Sequence, residues 1–165
     1  MEEKIKKYEN EIEQLKTKDL YLEAYSRREN ILFLNIKEDP RENTEEKLRA
    51  FLRDDLGYEN YDEVEFQRIH RNPSSDRTKP RPILARFLRY KDCEDIMALG
   101  KNLKGTNYSM FTDLPQEIVR RRKVQMATYK KAKKNNIPAS FSKAKPDKLY
   151  VRGKEWPPGQ ELIIH

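Results

Sequence analysis

The sequence is poor in the residues on which metal sites, disulfides and nucleotide-binding loops depend. Cys93 is the only cysteine among 165 residues, so no disulfide can form within the chain and a reducing compartment is expected. Two histidines and one cysteine supply no metal site at a familiar spacing, and the five glycines form no phosphate-binding loop. No stretch approaches the roughly 18 apolar residues of a membrane span, and no early apolar run resembles a signal peptide. We therefore expect a soluble, intracellular protein with no enzymatic activity, metal or cofactor.

Charge is abundant and unevenly distributed. Charged residues make up 38% of the chain and hydrophobic residues 36%, which suits small modules better than one large core. Residues 1–65 hold 12 Lys/Arg against 19 Asp/Glu, a net charge of −7, whereas residues 66–165 hold 23 against 9, a net charge of +14. The cationic second part predicts a surface that binds a polyanion. The alternative, an ordinary solvated surface, would mix the two signs throughout.

The N-terminal segment predicts a helix. Residues 2–25 contain no glycine or proline, and their apolar residues recur at spacings of three and four. This leaves a stripe as narrow as a coiled-coil seam. We expect the seam to drive oligomerisation through the a and d positions held by Ile5, Tyr8, Ile12, Leu15 and Leu22. The alternative is a lone amphipathic helix packed on its own domain, because short apolar patterns are ambiguous.

Residues 27–113 alternate between strand and helix signals. Strands are predicted at 31–36, 64–69, 83–88 and 108–112, and helices from a cap at Asn43 or Thr44 to Gly57 and over 93–99. The order strand, helix, strand, strand, helix, strand is that of a ferredoxin-like sandwich, a fold that hosts many functions. On the third strand, burial of Ile83, Ala85 and Phe87 would turn Leu84 and Arg86 outward. The aromatic residues that usually stack bases on such a sheet are then missing.

A second, small α+β module is predicted at the C-terminal end. Asp113 can cap a helix with Pro115 in its first turn, and this helix is expected to run to Asn135. Two short strands follow at 139–142 and 148–152. The whole chain is thus predicted to belong to the α+β class and to have three parts: a coiled-coil helix over 1–26, a ferredoxin-like domain over 27–113 and a basic α+β domain over 114–165.

The basic residues concentrate in the last of these parts. Between Arg120 and Lys154 there are 13 Lys/Arg, and Asp147 is the only acidic residue. Phosphates relieve the mutual repulsion of so many cations and release condensed counterions. Four aromatic residues lie among them: Tyr129, Phe141, Tyr150 and Trp156. Proteins that bind single strands generally combine cations along the sugar-phosphate backbone with aromatic faces on which bases stack. For Phe141 and Trp156, packing in the core is the alternative role.

Five segments, in order along the chain, carry a resemblance to a known family. They are Arg27-Arg28-Glu29-Asn30-Ile31, Phe66-Gln67-Arg68, the run from Pro80 to Phe87, Phe111-Thr112-Asp113-Leu114 with Arg121-Arg122, and Pro146-Asp147-Lys148-Leu149. Together they resemble the RNA-binding proteins encoded by the first open reading frame of LINE-type non-LTR retrotransposons. The resemblance extends roughly from Leu22 to Val151.

The resemblance implies a coiled coil, a non-standard RNA-recognition motif and a C-terminal domain. Proteins of this family form homotrimers through the coil, coat the RNA of the element as a ribonucleoprotein and act as nucleic acid chaperones during retrotransposition. Carried over position by position, the residues expected at the RNA are Arg27, Arg28, Arg68, Arg81, Arg121, Arg122 and Lys148.

The residues and the resemblance together give one leading hypothesis. The chain is expected to bind single-stranded RNA and DNA with little sequence preference, and to package retrotransposon RNA as a nucleic acid chaperone. We expect a trimer, with a dimer as the alternative, in cytoplasmic ribonucleoprotein particles, with the nucleus as a further location. No membrane and no small-molecule substrate is expected. The residues expected to contact nucleic acid are Arg27, Arg28, Arg68, Arg71, Arg81, Arg86, Arg120, Arg121, Arg122, Lys123, Lys130, Lys145, Lys148, Tyr150 and Arg152.

The competing hypothesis is an interaction adaptor. Its coil would pair with the helix of another protein, and its basic half would bind an acidic partner or serve localisation.

Overall fold

A computed structural model describes residues 1–164 and divides the chain into two compact units. The central unit comprises Arg27–Asp113. The terminal unit joins Met1–Ser26 to the chain from Leu114 onward. The predicted α+β class is confirmed, with five α-helices and two antiparallel sheets among the described residues.

The helices and strands follow one another in a simple order. The α-helices are α1 Glu2–Ser26, α2 Thr44–Asp54, α3 Tyr90–Ala98, α4 Gln116–Lys123 and α5 Met126–Lys134. The strands are β1 Asn30–Leu34, β2 Phe66–Arg71, β3 Ile83–Phe87, β4 Ser109–Thr112, β5 Ala139–Phe141, β6 Leu149–Val151 and β7 Lys154–Glu155. A 3₁₀ helix, Gly100–Leu103, follows α3.

The central unit contains one four-stranded antiparallel sheet in the order β2-β3-β1-β4. Its elements follow the predicted order of strand, helix, strand, strand, helix, strand. Leu32 on β1 lies opposite Leu84 on β3 and Phe111 on β4, so these three side chains project from the same face. The neighbouring residues Phe33 and Ile83 point to the other face and are fully buried.

Local sequence accounts for the first helix of the central unit. The side chain of Asn43 accepts a hydrogen bond from the backbone N–H of Glu46 at 3.2 Å, as a helix N-cap does. Leu48 and Leu52, one turn apart, are both fully buried. The helix therefore begins where the sequence predicts, and its apolar side faces the sheet.

Both helices of the central unit contribute to a single core. Leu48 and Leu52 from α2 and Ile96 from α3 are buried together with Phe33 and Phe87 from the sheet. The predicted alternation on β3 is confirmed for its inward residues. α2 and α3 thus cover one face of the sheet, and the face that carries Leu32, Leu84 and Phe111 is the other.

The terminal unit has a second core and a three-stranded sheet, β5-β6-β7. The prediction of one continuous helix to Asn135 is wrong, because the chain breaks between α4 and α5. At the break, the Gln125 side-chain N–H donates to the backbone carbonyl of Asp147 at 2.8 Å, and Gln125 is only 4% exposed. A tertiary contact therefore overrides the local helical preference of this segment.

Strand β7 was not predicted and arises from a tight hairpin. Arg152 and Gly153 both have positive φ, 54° and 78°, as the two central residues of a type I′ turn require. Glycine adopts this conformation without strain, whereas arginine does so at some cost.

Helix α1 is attached to the terminal unit by polar contacts with one carboxylate. The Tyr21 hydroxyl donates to Asp147 Oδ1 at 2.5 Å, and Arg121 Nη1 donates to Asp147 Oδ2 at 2.9 Å and to Thr17 Oγ1 at 3.3 Å. Asp147 is 5% exposed, and Ala24 is also buried. The lone-helix alternative is therefore correct in part, since α1 does pack on its own unit.

The contact side of α1 lies opposite its apolar stripe. The contact residues are Thr17 and Ala24 at f positions of the heptad and Tyr21 at a c position. These positions lie on the side of the helix that faces away from a and d. The a and d residues remain open to solvent, with exposed fractions between 51% and 65%. These residues are Ile5, Tyr8, Ile12, Leu15 and Leu22.

Within residues 1–164, no helix combines the length and the apolar character needed to cross a lipid bilayer.

Substituting Tyr21 with Phe tests the attachment of α1. Burial and the hydrogen bond to Asp147 raise the pKa of Tyr21 above its ordinary value. Its contribution to stability is therefore complete below about pH 10 and declines above that pH, as the phenol ionises in the unfolded chain. We expect Tyr21→Phe to lower the free energy of unfolding by about 1.5 kcal/mol near neutral pH, and this difference to shrink above about pH 10.

Urea unfolding followed by the fluorescence of Trp156 measures this effect, because the only tryptophan packs against the core of the terminal unit. Ser140→Ala is the matched control, since Ser140 is an exposed residue of the same unit and its loss of a hydroxyl should leave stability unchanged. Equal stability of Tyr21→Phe and the wild type at neutral pH would contradict the attachment.

Candidate nucleic-acid interface

Cations greatly outnumber acidic residues in the C-terminal part of the terminal unit. Residues 114–164 contain 13 Lys/Arg and 4 Asp/Glu. Three of the four acids already have cationic partners in the structure: Glu117, Asp147 and Glu155. Few carboxylates are thus left to neutralise the remaining lysines and arginines.

The arginines of α4 are bound to protein groups. Arg121 contacts Asp147 and Thr17 as described above, and also Glu117 at 3.3 Å. Arg120 pairs with Glu117 at 2.5 Å. The hydrogen bonds that Glu117 accepts, of which the one from Arg120 has the largest effect, lower the pKa of this glutamate to about 2. The structure gives Arg121 a clear role in holding α1 and α4 together.

Arg122 is a packing residue of the second core. Its Nε donates to the Pro146 carbonyl at 2.6 Å, and its guanidinium lies 4.4 Å from the centre of the Phe141 ring. Burial lowers the pKa of this guanidinium. Phe141 in turn packs against Tyr129, with ring centres 5.6 Å apart. The packing role that the sequence left open for Phe141 is therefore observed.

The remaining cations of this region include a set that we call the unpaired cations. They are exposed and, within residues 1–164, form no ion pair and donate no side-chain hydrogen bond. They are Lys123, Lys130, Lys131, Lys134, Lys145, Arg152 and Lys154.

Helix α5 aligns part of this set. Lys130 and Lys134 are four residues apart and so lie one turn apart on the same side of the helix. Lys131 is three residues from Lys134 and lies beside it. Lys133 is turned toward its own helix, with Nζ 5.6 Å from the centre of the Tyr129 ring. The α5 surface thus offers a short row of positive charges.

Strand β6 adds an aromatic ring beside a cation. Leu149 and Val151 are buried on one face of the sheet, so Lys148 and Tyr150 project from the other. Tyr150 is half-buried, and Lys148 Nζ lies 3.8 Å from Glu155 Oε1 on the neighbouring strand. This face can provide stacking and phosphate contacts side by side.

The side chain of Arg71 in the central unit is buried, although the sequence predicts Arg71 as a nucleic-acid contact. Its side chain is 5% exposed and pairs with Glu42 at 3.1 Å. It also donates to the backbone carbonyls of Ile36, Lys37 and Arg81 at 2.7–2.9 Å. Through these contacts Arg71 holds together the segment that follows β1 and the segment that precedes β3.

Four further arginines of the central unit have acidic partners. Arg27 lies 3.6 Å from Asp113, Arg28 lies 3.0 Å from Glu29, and Arg86 lies 3.7 Å from Glu29. Arg81 forms an ion pair with Glu38. These side chains remain partly exposed, so a phosphate could compete with the carboxylates for them.

Arg68 is the exception among the predicted arginines of the central unit. It is exposed, it has no ion pair among the described residues, and it lies on β2 beside an open groove of about 610 Å³. Arg41 borders the same groove. Arg68 therefore keeps its charge available to a ligand.

Sequence reasoning missed three of the unpaired cations as specific contacts: Lys131, Lys134 and Lys154. The signal was present on α5, where the spacing of three and four residues puts Lys131 and Lys134 beside Lys130. For Lys154 there was no such signal, because β7 was not predicted.

No group of three or more His, Cys, Asp or Glu that could hold a metal ion is found among residues 1–164. Cys93 is buried in the central core, and burial raises the pKa of its thiol to about 12, which keeps it protonated and unreactive.

Comparison of the chain with protein-family models and with curated proteins finds no match.

Arg71→Ala distinguishes a structural arginine from a binding one. Removing Arg71 leaves Glu42 with only Lys47, at 3.9 Å, and takes one donor from each of three backbone carbonyls. We therefore expect the free energy of unfolding to fall by about 3 kcal/mol. Urea unfolding followed by far-ultraviolet circular dichroism measures this loss. The folded variant should keep its affinity for nucleic acid.

Arg81→Ala serves as the control, because it breaks a partly exposed ion pair and should cost less than about 1 kcal/mol. An Arg71→Ala variant that is as stable as the wild type but binds nucleic acid weakly would contradict the structural role.

Proposed function

We propose that the protein binds single-stranded nucleic acid with little sequence preference, self-associates through α1 and acts as a nucleic acid chaperone. The observation that carries this proposal is the set of seven unpaired cations in the terminal unit. A set of like charges without acidic partners is costly to maintain unless a polyanion binds it. Phosphate groups would neutralise these residues and release counterions.

The chemistry of the set supports tolerance of sequence. Six of the seven unpaired cations are lysines. An ammonium group acts as a compact point charge, whereas base recognition in duplexes usually relies on the bidentate fork of arginine. Contacts of lysine with phosphate carry no sequence information. Many weak, exchangeable contacts of this kind would let strands melt and pair again, which is how a chaperone works.

The outward face of β6 supports a preference for single strands. Tyr150 presents a ring next to Lys148, and bases are free to stack on such a ring only when they are unpaired. Arg152, at the tip of the following turn, adds a cation to the same end of the sheet.

We further propose that the central unit is an RNA-recognition-motif-like, ferredoxin-like sandwich. The strand order β2-β3-β1-β4 and the packing of two helices on one face support this assignment. By the resemblance of its ordered segments, we propose that the nucleic acid is the RNA of a LINE-type retrotransposon, packaged in a cytoplasmic ribonucleoprotein.

The exposed stripe on α1 supports self-association. Its five apolar residues are more than half exposed, although the opposite side of the helix is attached to the terminal unit. A second copy could therefore pair along the a and d positions without displacing that attachment. Pairing would remove these side chains from water, and the resemblance favours three copies over two.

Replacing Lys130 and Lys134 together with Ala tests the nucleic-acid proposal. Each phosphate contact on a single strand contributes about 0.7 to the slope of log affinity against log salt. We expect the double variant to bind a fluorescent oligouridine more weakly, with a slope shallower by about 1.4. Fluorescence anisotropy over a series of salt concentrations measures both quantities.

Lys6→Ala with Lys7→Ala is the matched control, because it removes the same charge from exposed positions of α1. The control should bind as the wild type does. If both double variants lost the same affinity, binding would depend on net charge alone and the assigned surface would be incorrect.

Replacing Ile12 and Leu15 together with Asp tests self-association. Charges at neighbouring a and d positions would have to be buried in the seam, so the variant should be monomeric with a mass of 19.8 kDa. The wild type should have a multiple of that mass. Light scattering coupled to size-exclusion chromatography measures both.

Asn10→Asp with Gln14→Asp is the control, since these exposed residues lie outside the stripe and should leave the mass unchanged. A wild-type chain that is monomeric at high concentration, with or without an oligonucleotide, would contradict self-association and favour a partner helix from another protein.

A further inference from the structure

The hairpin between β6 and β7 determines which residues lie beside Tyr150 in the terminal unit. Its two-residue turn, Arg152-Gly153, has the positive φ angles of a type I′ turn, and such a turn sets the register of the strands on either side. In this register Tyr150 lies directly opposite Glu155 on β7. On its other side, Tyr150 lies opposite Ser140 on β5. The three residues therefore form a row across the sheet.

Glu155 projects from the same face of the sheet as Tyr150, because residues that lie directly opposite each other share a face. The next residue, Trp156, turns to the other face and packs against the second core. The Trp156 N–H donates to the Leu149 carbonyl at 2.8 Å, so the adjacent pair of Tyr150 and Glu155 is a non-hydrogen-bonded pair. Side chains approach closely in such a pair, with Cβ atoms about 4.5–5.5 Å apart. The Glu155 carboxylate is therefore within reach of a base that stacks on Tyr150.

The neighbours of this pair leave it accessible to a ligand. The side chain of Glu155 is 52% exposed, and its ion pair with Lys148 Nζ is long, at 3.8 Å. Ser140 is small and exposed, so it covers little of the Tyr150 ring. Lys148 offsets the charge of Glu155, and this reduces the repulsion between the carboxylate and a nearby phosphate.

A carboxylate beside a stacking ring distinguishes bases by their hydrogen-bond donors, because an ionised carboxylate can only accept. Guanine presents two adjacent donors on its Watson–Crick edge, N1–H and the N2 amino group. Uracil presents one N–H between two carbonyl oxygens, which a carboxylate repels. Proteins that bind single-stranded RNA recognise unstacked bases on this edge.

We propose that Glu155 gives the nucleotide stacked on Tyr150 a preference for guanine over uracil. The inference rests on the proposed binding of single strands, and it adds the residue that selects the base at one position. Contacts of the unpaired cations with phosphates carry no sequence information, so binding as a whole stays tolerant of sequence.

Three fluorescent RNA strands of equal length test this preference in the full-length protein. They are oligouridine, a repeat of uridine and guanosine, and a repeat of uridine and inosine. Inosine is a purine that keeps N1–H but lacks the N2 amino group, so the two repeats differ in one donor. The wild type should bind the guanosine strand about threefold more tightly than the inosine strand, as expected for one exposed hydrogen bond, and oligouridine most weakly. Fluorescence anisotropy in sodium buffer measures the three affinities.

The variant Glu155→Gln keeps the shape of the side chain and removes its charge. It should bind the guanosine and inosine strands equally. The same change frees Lys148 from its ion pair, so affinity for oligouridine should rise. Glu161→Gln is the matched control, because it removes the same charge from an exposed position of the same unit outside the sheet, and it should keep the preference for guanosine.

Tyr150→Leu tests the ring on which the preference depends. This variant should bind both purine strands more weakly than the wild type does, and equally, because the base is no longer held beside Glu155.

Two results would overturn the inference and leave the proposed function standing. If Glu155→Gln raised the affinity for all three strands by the same factor, Glu155 would act solely as the partner of Lys148. If the wild type bound the guanosine and inosine strands equally, no base would be selected at this position. A wild type that bound none of the strands would instead contradict the proposed function itself.

Discussion

The terminal unit depends on the burial of one carboxylate. Asp147 accepts hydrogen bonds from Tyr21 of α1 and Arg121 of α4, while its backbone carbonyl accepts one from Gln125 at the start of α5. A buried carboxylate is unfavourable unless its charge is matched and its oxygens are hydrogen-bonded, so these three elements are held in a fixed arrangement. The same contacts determine which side of α1 is exposed. The helix is attached by its polar side, and its apolar stripe remains open to solvent.

A second consequence concerns charge. The few acidic residues of this part of the chain are used in structural pairs, such as Glu117 with Arg120 and Asp147 with Arg121. Six of its lysines, the ones among the unpaired cations, are left without an ion pair in the described part of the chain. Arginine and lysine differ here because of their side-chain chemistry. The planar guanidinium of arginine can donate hydrogen bonds to carboxylates and carbonyls in several directions. The ammonium group of lysine is more strongly hydrated and remains in solvent. Arginine therefore builds the fold, and lysine supplies most of the proposed phosphate-binding surface.

The fold was predictable where its causes are local. The cap at Asn43 and the inward burial of Ile83, Ala85 and Phe87 on β3 depend on neighbouring residues, and both are observed. The break before Gln125 was not predictable, because its cause is a hydrogen bond to Asp147, 22 residues away. The same holds for the candidate site. Nothing local distinguishes Arg71, whose acidic partner lies 29 residues earlier, from Arg68, which is exposed without an ion pair in the region described.

The affinity of the full-length protein for a fluorescent single strand, measured over a series of salt concentrations, tests the central claim most directly. If most of the seven unpaired cations contact phosphates, log affinity should fall steeply and linearly with log salt, with a slope between about −3 and −5. A duplex of the same sequence should be bound more weakly. An affinity that does not change with salt would contradict the account, because phosphate neutralisation could not then be the source of binding.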